Sequence, residues 1–171
     1  MSILVISTSL SSDSRSRALA YFAYKYAKSN DYKVEFVDLR DYPLPMCDGD
    51  MSFSDENVAT LADKILSASS VLLAGAVYTY SIGASTKNLI DMTGAAWKSK
   101  PVGLIVTGSG RSSYMSATGL INSLMLNHRC PIIPRYVYGD SGGFEEEKIS
   151  EDLQHRLQEL VDTTKHWGEV L

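Results

Sequence analysis

The chain has 171 residues, 44% hydrophobic and 21% charged, an ordinary composition for one globular domain that excludes disorder, collagen and coiled coil. Sixteen Lys and Arg stand against 20 Asp and Glu, a net charge of -4 with no basic block, so the footprint of a nucleic-acid partner is missing. Cys47 and Cys130 lie in no C-x-x-C or Cys/His cluster, which predicts two reduced thiols, no metal and no disulfide-stapled secreted fold.

Met1 leads directly into an apolar segment without a basic region, and no apolar run approaches the ~18 residues of a membrane span. A soluble, cytoplasmic protein is expected, with no membrane partner. Ile3 to Ile6 is continuously apolar and β-branched, as suits a strand covered on both faces. From Ser14 to Asn30, Leu19, Phe22, Ala23 and Tyr26 recur at helical spacing, and Asn30-Asp31 supplies a stop. Lys33 to Leu39 alternates in the manner of an edge strand with one poorer face.

Arg40 to Phe53 carries Pro43, Pro45 and Gly49 and is longer than most connections, which marks a lid, a binding loop or a subunit contact, or else a spacer. Val58, Leu61, Ala62, Ile65 and Leu66 predict the next helix, with Ser54 and Asn57 as a weak cap. Val71 to Val77 reads as the third strand, Ser85 to Ala96 as a helix and Val102 to Val106 as the fourth strand. Ser113 to Asn127 reads as a helix with more than one buriable face, and Ile132 to Tyr138 as the fifth strand. Glu145, Glu146 and Glu147 stand at the expected start of a last helix striped by Ile149, Leu153, Leu157, Leu160 and Val161.

Strands alternating with helices predict a single α/β domain over residues 1–171, a three-layer sandwich around a five-stranded parallel sheet with helices on both faces and right-handed crossovers. Such sheets take ligands beyond the carboxyl ends of their strands, where strand order switches. The loops after the first, third and fourth strands are therefore the candidates.

In the first, Ser7-Thr8-Ser9-Leu10-Ser11-Ser12-Asp13-Ser14-Arg15-Ser16 is mostly hydroxylated or cationic and runs into a helix. Free backbone amides, neutral hydroxyl donors and a fixed charge suit a phosphate monoester; the plainer reading is a solvated loop with N-capping by Asp13 or Ser14. No Walker pattern is present, and Gly108-Ser109-Gly110-Arg111-Ser112-Ser113 lacks the third glycine of a dinucleotide fingerprint. After the third strand, Val77-Tyr78-Thr79-Tyr80-Ser81 offers two aromatic faces and backbone edges to a flat ring, or else two surface tyrosines at a strand end.

Taken together, these loops resemble those of the NAD(P)H-dependent FMN reductases of flavodoxin-like fold, particularly the sulfonate-utilisation members, over nearly the whole chain. The resemblance rests on Thr8 to Ser16, on Ala76-Val77-Tyr78 with Lys87-Asn88-Leu89-Ile90-Asp91, and on Thr107-Gly108-Ser109-Gly110. Thr8 stands where that family has glycine, Ser11 where it has arginine and Ala76 where it has proline. The likeness implies strand order 2-1-3-4-5 and FMN as cofactor, with NADPH or NADH as co-substrate. It implies phosphate contacts at Ser9, Ser14, Arg15 and Ser16, ring contacts at Val77, Tyr78, Thr79, Tyr80 and Ser81, and a pyrimidine-edge turn at Thr107, Gly108, Ser109 and Gly110. The partners it implies are a small-molecule electron acceptor, such as a flavin, quinone or azo compound, and a second copy of the chain in a homodimer or homotetramer.

No side-chain acid or base is required for hydride transfer through a flavin, so no catalytic residue is assigned. His128, His155 and His166 lie away from the three loops and read as surface residues, and no G-x-S-x-G elbow supports a hydrolase. The alternative is a flavodoxin-like electron carrier without reductase activity of its own. Such carriers are usually more acidic and use a different phosphate loop.

Overall fold

The hydrophobic segments of the chain meet in one sheet in the structure, a computed structural model that describes residues 1–145 and 148–171. Its strands are β1 (Ile3–Ser7), β2 (Val34–Asp38), β3 (Ser70–Tyr78), β4 (Ser81–Ile82), β5 (Val102–Thr107) and β6 (Val137–Gly139). The parallel strands stand in the order β2-β1-β3-β5-β6, and β4 is a short antiparallel partner of β3. Counted without β4, this is the expected flavodoxin-like order, with β2 at an edge.

Successive residues of a strand point to opposite faces, and both faces of this sheet are covered. Leu4 and Ile6 of β1 pack with Leu61 and Ile65 of α2 (Glu56–Ser67), with Leu89 and Ile90 of α3 (Ala84–Thr93), and with Leu120 of the short α4 (Thr118–Asn122). On the other face, Ile3 and Val5 pack with Leu19 and Ala23 of α1 (Arg15–Ser29) and with Leu153, Leu157 and Val161 of α5 (Glu151–Val170). That double burial is why β1 is apolar at every position up to Ile6.

The structure places several boundaries differently from the sequence reading. The cap of α2 is Asp55, whose carboxylate accepts from the amides of Asn57 and Val58; Ser54 belongs to a preceding 3-10 turn. α5 begins at Glu151 behind the N-cap Ser150, with Glu151 and Asp152 as its first-turn acids. Glu145 lies instead in β7 (Phe144–Glu145), paired with β8 (Lys148–Ile149), so Ile149 is outside the helix; Glu146 and Glu147 lie outside the described residues.

The fifth strand is reduced to Val137–Gly139 plus a single bridge from Ile132 to Val102, because Pro134 cannot donate to a ladder and Arg135 adopts φ 58°. α3 ends at Thr93, and Gly94–Trp97 is a 3-10 turn that buries Trp97. The expected helix from Ser113 to Asn127 is three unlike pieces: 3-10 over Arg111–Ala117, then α4, then a π-helical turn over Ser123–Asn127. Hydroxyls there compete for the backbone, Thr118 donating to the Met115 carbonyl and Ser123 to that of Gly119. Among the described residues, no helix is long and apolar enough to cross a membrane.

Candidate functional site

Strand order reverses between β1 and β3, and the loop leaving β1 is fastened at that switch. The Thr8 amide and hydroxyl both donate to the Ala74 carbonyl, at 2.9 and 2.8 Å, and the hydroxyl lies 2.6 Å from that of Thr86 in α3. Ser85 donates to the Thr8 carbonyl at 2.7 Å. A glycine at position 8 could make none of the side-chain contacts, so Thr8 is an anchor of the loop. The neighbouring Gly75 is required by this arrangement, since a Cβ there would stand 2.7 Å from the Thr86 hydroxyl.

Beyond the anchor the chain turns through Ser9 to Asp13 and enters α1. Ser14 is the N-cap, accepting from the Arg17 amide at 3.1 Å, and its hydroxyl lies 3.1 Å from that of the fully buried Ser16. The amides of Arg15 and Ser16, in the first turn, have no carbonyl one turn earlier in the helix to receive them and carry the positive end of the helix dipole. The exposed Arg15 guanidinium lies 5.2 Å above the Phe144 ring, a cation–π contact that aims it without neutralising it.

β3 and β4 form a two-residue hairpin in which Tyr78 faces Ser81 and both central residues adopt positive φ, Thr79 at 50° and Tyr80 at 58°. That is the turn usually built from Asn-Gly, and a β-branched residue in it is strained. The hairpin holds Tyr78 and Tyr80 out in solvent. The third loop follows β5, where the Gly108 amide donates to the Gly139 carbonyl at 3.1 Å and the Tyr138 phenol donates to the Gly110 carbonyl at 2.6 Å. Burial raises the Tyr138 pKa above the ordinary tyrosine value, and nearby Asp140 and Tyr80 add to this against a hydrogen bond with Ser113, so the phenol remains a neutral donor at neutral pH.

These three loops border one open cleft of about 530 Å³. Ser9, Ser14 and Arg15 line it from the first loop, Val77, Tyr78 and Thr79 from the second, and Thr107, Gly108 and Ser109 from the third. Of the other residues expected at the site, Ser16 is buried beneath the loop, and Tyr80, Ser81 and Gly110 lie outside the cleft wall. Ser11, Asp13 and Ala76 complete the wall. Sequence reading also passed over Arg17 and Tyr138, which brace the first and third loops from behind; their partners are remote in the chain or are backbone carbonyls, and neither leaves a spacing signal.

A larger hollow of about 730 Å³ lies at the β6 edge, lined by Tyr114, by Ile133 to Tyr136 and by the α5 residues Arg156, Glu159 and Asp162, and among the described residues none from the first loop or the β3–β4 hairpin lines it. The proline-bearing loop borders an apolar cavity of about 600 Å³, held by Asn88, which accepts from the Cys47 amide and donates to the Pro45 carbonyl, both at 2.9 Å. His155 and His166 are exposed and His128 is half-buried. Among the described residues, no three His, Cys, Asp or Glu side chains are placed to hold a metal ion.

A doubly wound parallel sheet with its cleft at the switch in strand order defines a flavodoxin-like α/β sandwich. Residues 1–144 match the model of the NADPH-dependent FMN reductase family, and the chain belongs to that family. It is 23% identical over 137 residues to an NAD(P)H-dependent FAD/FMN reductase of Geobacillus thermodenitrificans, covering 78% of this chain and 74% of that one. An NADPH:quinone oxidoreductase of Arabidopsis thaliana is 33% identical over 92 residues, covering 48% of this chain and 46% of that one. Among solved structures, the flavoenzyme NAD(P)H:(acceptor) oxidoreductase FerB of Paracoccus denitrificans is 25% identical with a TM-score of 0.78, covering 99% of this chain and 97% of that one. The protein is thus an oxidoreductase, an NAD(P)H-dependent flavin reductase.

Proposed function

We propose that FMN lies across the three loops, with its phosphate at the start of α1 and its ring between the β3–β4 hairpin and the Thr107–Gly110 turn. The observation that carries this reading is the convergence of the three loops on one cleft, Ser9 and Ser14 on one wall and Gly108 on another. The donor set fits the group: two nearly buried hydroxyls, two first-turn amides and the Arg15 guanidinium suit a phosphate dianion, and the cleft volume falls in the ordinary range of small-ligand sites.

Bound there, FMN supplies the redox chemistry, taking a hydride from NADPH or NADH and passing electrons to a flavin, quinone, azo compound or similar small acceptor. Every other requirement falls on the chain. The backbone of Val77 to Thr79, on the cleft wall, would offer N–H and C=O groups to a ring edge, and that of Thr107 to Ser109 would offer dipoles in a turn held by the Tyr138 bond to Gly110. Arg111, almost fully exposed and paired with Asp140 at 3.6 Å, or Arg15 would meet the phosphates of the nicotinamide co-substrate, Arg111 by giving up that exposed ion pair. No side chain acts as acid or base.

The test is direct. FMN is titrated by flavin fluorescence, and oxidation of NADPH and of NADH is followed with and without a quinone or free FMN. A yellow complex and acceptor-dependent turnover are expected; failure of both nicotinamides with every acceptor overturns the reading.

The exposed Met115, Met125 and Leu126 along residues 111–127 support a homodimer or homotetramer, which light scattering would report as twice or four times the 18.8 kDa chain. Two free thiols support a reducing, cytoplasmic setting. We read all 171 residues as one FMN-binding domain.

A further inference from the structure

We propose that Arg17, seated against the buried carboxylate of Asp38, is the positioning residue that shapes the Ser11–Ser12 turn for the phosphate of FMN. The proposal rests on the reading of that loop as the phosphate site. Arg17 does not line the cleft. Its guanidinium reaches back under the loop and donates to two consecutive carbonyls, Ser11 at 2.8 Å and Ser12 at 2.5 Å. Its Nε lies 3.9 Å from Asp38 Oδ2, and only 18% of the side chain is exposed.

A planar fork of N–H donors can satisfy two adjacent carbonyls at once, whereas an ammonium cannot match both with one fixed geometry. Those two carbonyls belong to the turn that carries Ser11 into the cleft wall. Paired to Arg17, both carbonyls are directed away from the cleft and the turn is fixed before a ligand arrives; unpaired, they would leave the turn free to change shape and lose the placement of Ser11.

Asp38 sets where the guanidinium stands. It is the last residue of β2, in register with Ser7 at the end of β1, and its side chain is 8% exposed. Arg40 also holds it, through Nε at 3.0 Å and a terminal nitrogen at 2.6 Å. Burial works to raise the Asp38 carboxyl pKa, but the hydrogen bonds and charge of Arg40, with the charge of Arg17, outweigh it and hold the group below its ordinary value. The edge strand is thereby tied to the phosphate loop by a charged brace.

The experiment compares affinities for FMN and for riboflavin, which lacks the phosphate, by quenching of flavin fluorescence in wild type, Arg17→Ala, Arg17→Lys and Asp38→Asn. Arg17→Ala is expected to weaken FMN about 10- to 100-fold and riboflavin less than about 2-fold, the range for a lost charge-assisted pair of hydrogen bonds. Arg17→Lys keeps the charge without the fork and should recover part of the loss. It also serves as the test if the alanine variant does not fold, since a purely structural role would lower both affinities together.

FMN binding by the folded variants equal to wild type, or equal losses for both flavins, overturns the proposal. A wild type that binds FMN no better than riboflavin would instead show that the loop is no phosphate site, and the proposal would fall with that reading.

Discussion

The phenol of Tyr138 donates a 2.6 Å hydrogen bond to the carbonyl of Gly110, and its oxygen occupies the space into which a Cβ on Gly108 would project, 2.2 Å away. Two residues 28 positions apart therefore fix the shape of the turn proposed to meet the flavin edge. Gly108→Ala must displace a phenol that is 7% exposed and hydrogen-bonded. Overpacking of this kind costs about 1–3 kcal/mol. Weaker FMN binding, by about 10-fold or more, is expected in fluorescence titration. Tyr138→Phe added to Gly108→Ala should restore only part of it, because the ring carbon Cζ would still lie 3.1 Å from the new methyl. Wild-type affinity in Gly108→Ala would show that the turn does not contact the flavin.

Arg15 is exposed and lies over the Phe144 ring, so its replacement should separate binding from folding. Arg15→Ala is expected to reduce FMN affinity about 10-fold, as for loss of one charge-assisted contact, and to leave the melting temperature within about 2 °C. Unchanged affinity would remove Arg15 from the phosphate site.

The hairpin between β3 and β4 stores strain in Thr79 and Tyr80, both at positive φ. Asparagine tolerates that conformation far better than a β-branched residue. Thr79→Asn should stabilise the protein by about 1 kcal/mol, a rise of roughly 2–4 °C in Tm for a chain of this size. A fall in Tm would mean that contacts of the Thr79 side chain outweigh the backbone strain.

The two thiols should behave oppositely. Cys47 is exposed, whereas Cys130 is buried and donates to the Trp97 carbonyl at 3.0 Å. Burial pushes the Cys130 pKa up to about 11, against a smaller opposing effect of Lys100. At pH 8 one thiol per chain should react with a disulfide reagent in the native protein and two in denaturant. The thiol of the unfolded chain ionises near pH 9, so the stability that Cys130 contributes is complete below that pH and is lost as pH rises toward 11. Tyr26, Tyr32, Tyr136 and Tyr138, whose pKa values are also raised, lose stability over the same range. The Cys130 share, about 2 kcal/mol between pH 8 and 11, is therefore read as the difference in slope between wild type and Cys130→Ala in denaturation midpoints at pH 8, 9, 10 and 11.

The expected edge strand, the double-faced β1 and the three loops could all be read from residue order, because each is written in neighbours two to four positions apart; the cap of α1 was narrowed to Asp13 or Ser14, and the fold chose Ser14. The same pattern misled at Ser113 to Asn127, where apolar residues recur at helical spacing but serines, a threonine and a glycine divert the backbone into 3-10 and π turns. It misled again at Glu145 to Glu147, where acidic charge suggested a helix start and Ser150 supplied the cap instead.

Short continuous apolar runs alternating with segments of helical spacing were enough, by themselves, to determine a parallel sheet wrapped by helices and which loops would gather at one end of it. Only the folded chain decided how those loops are held: Thr8 on Ala74 and Thr86, Arg17 on Asp38, Tyr138 beneath Gly108. Periodicity reports whether a residue faces inward. It carries no information about which distant residue waits there, since those partners meet only after the strands have closed into register.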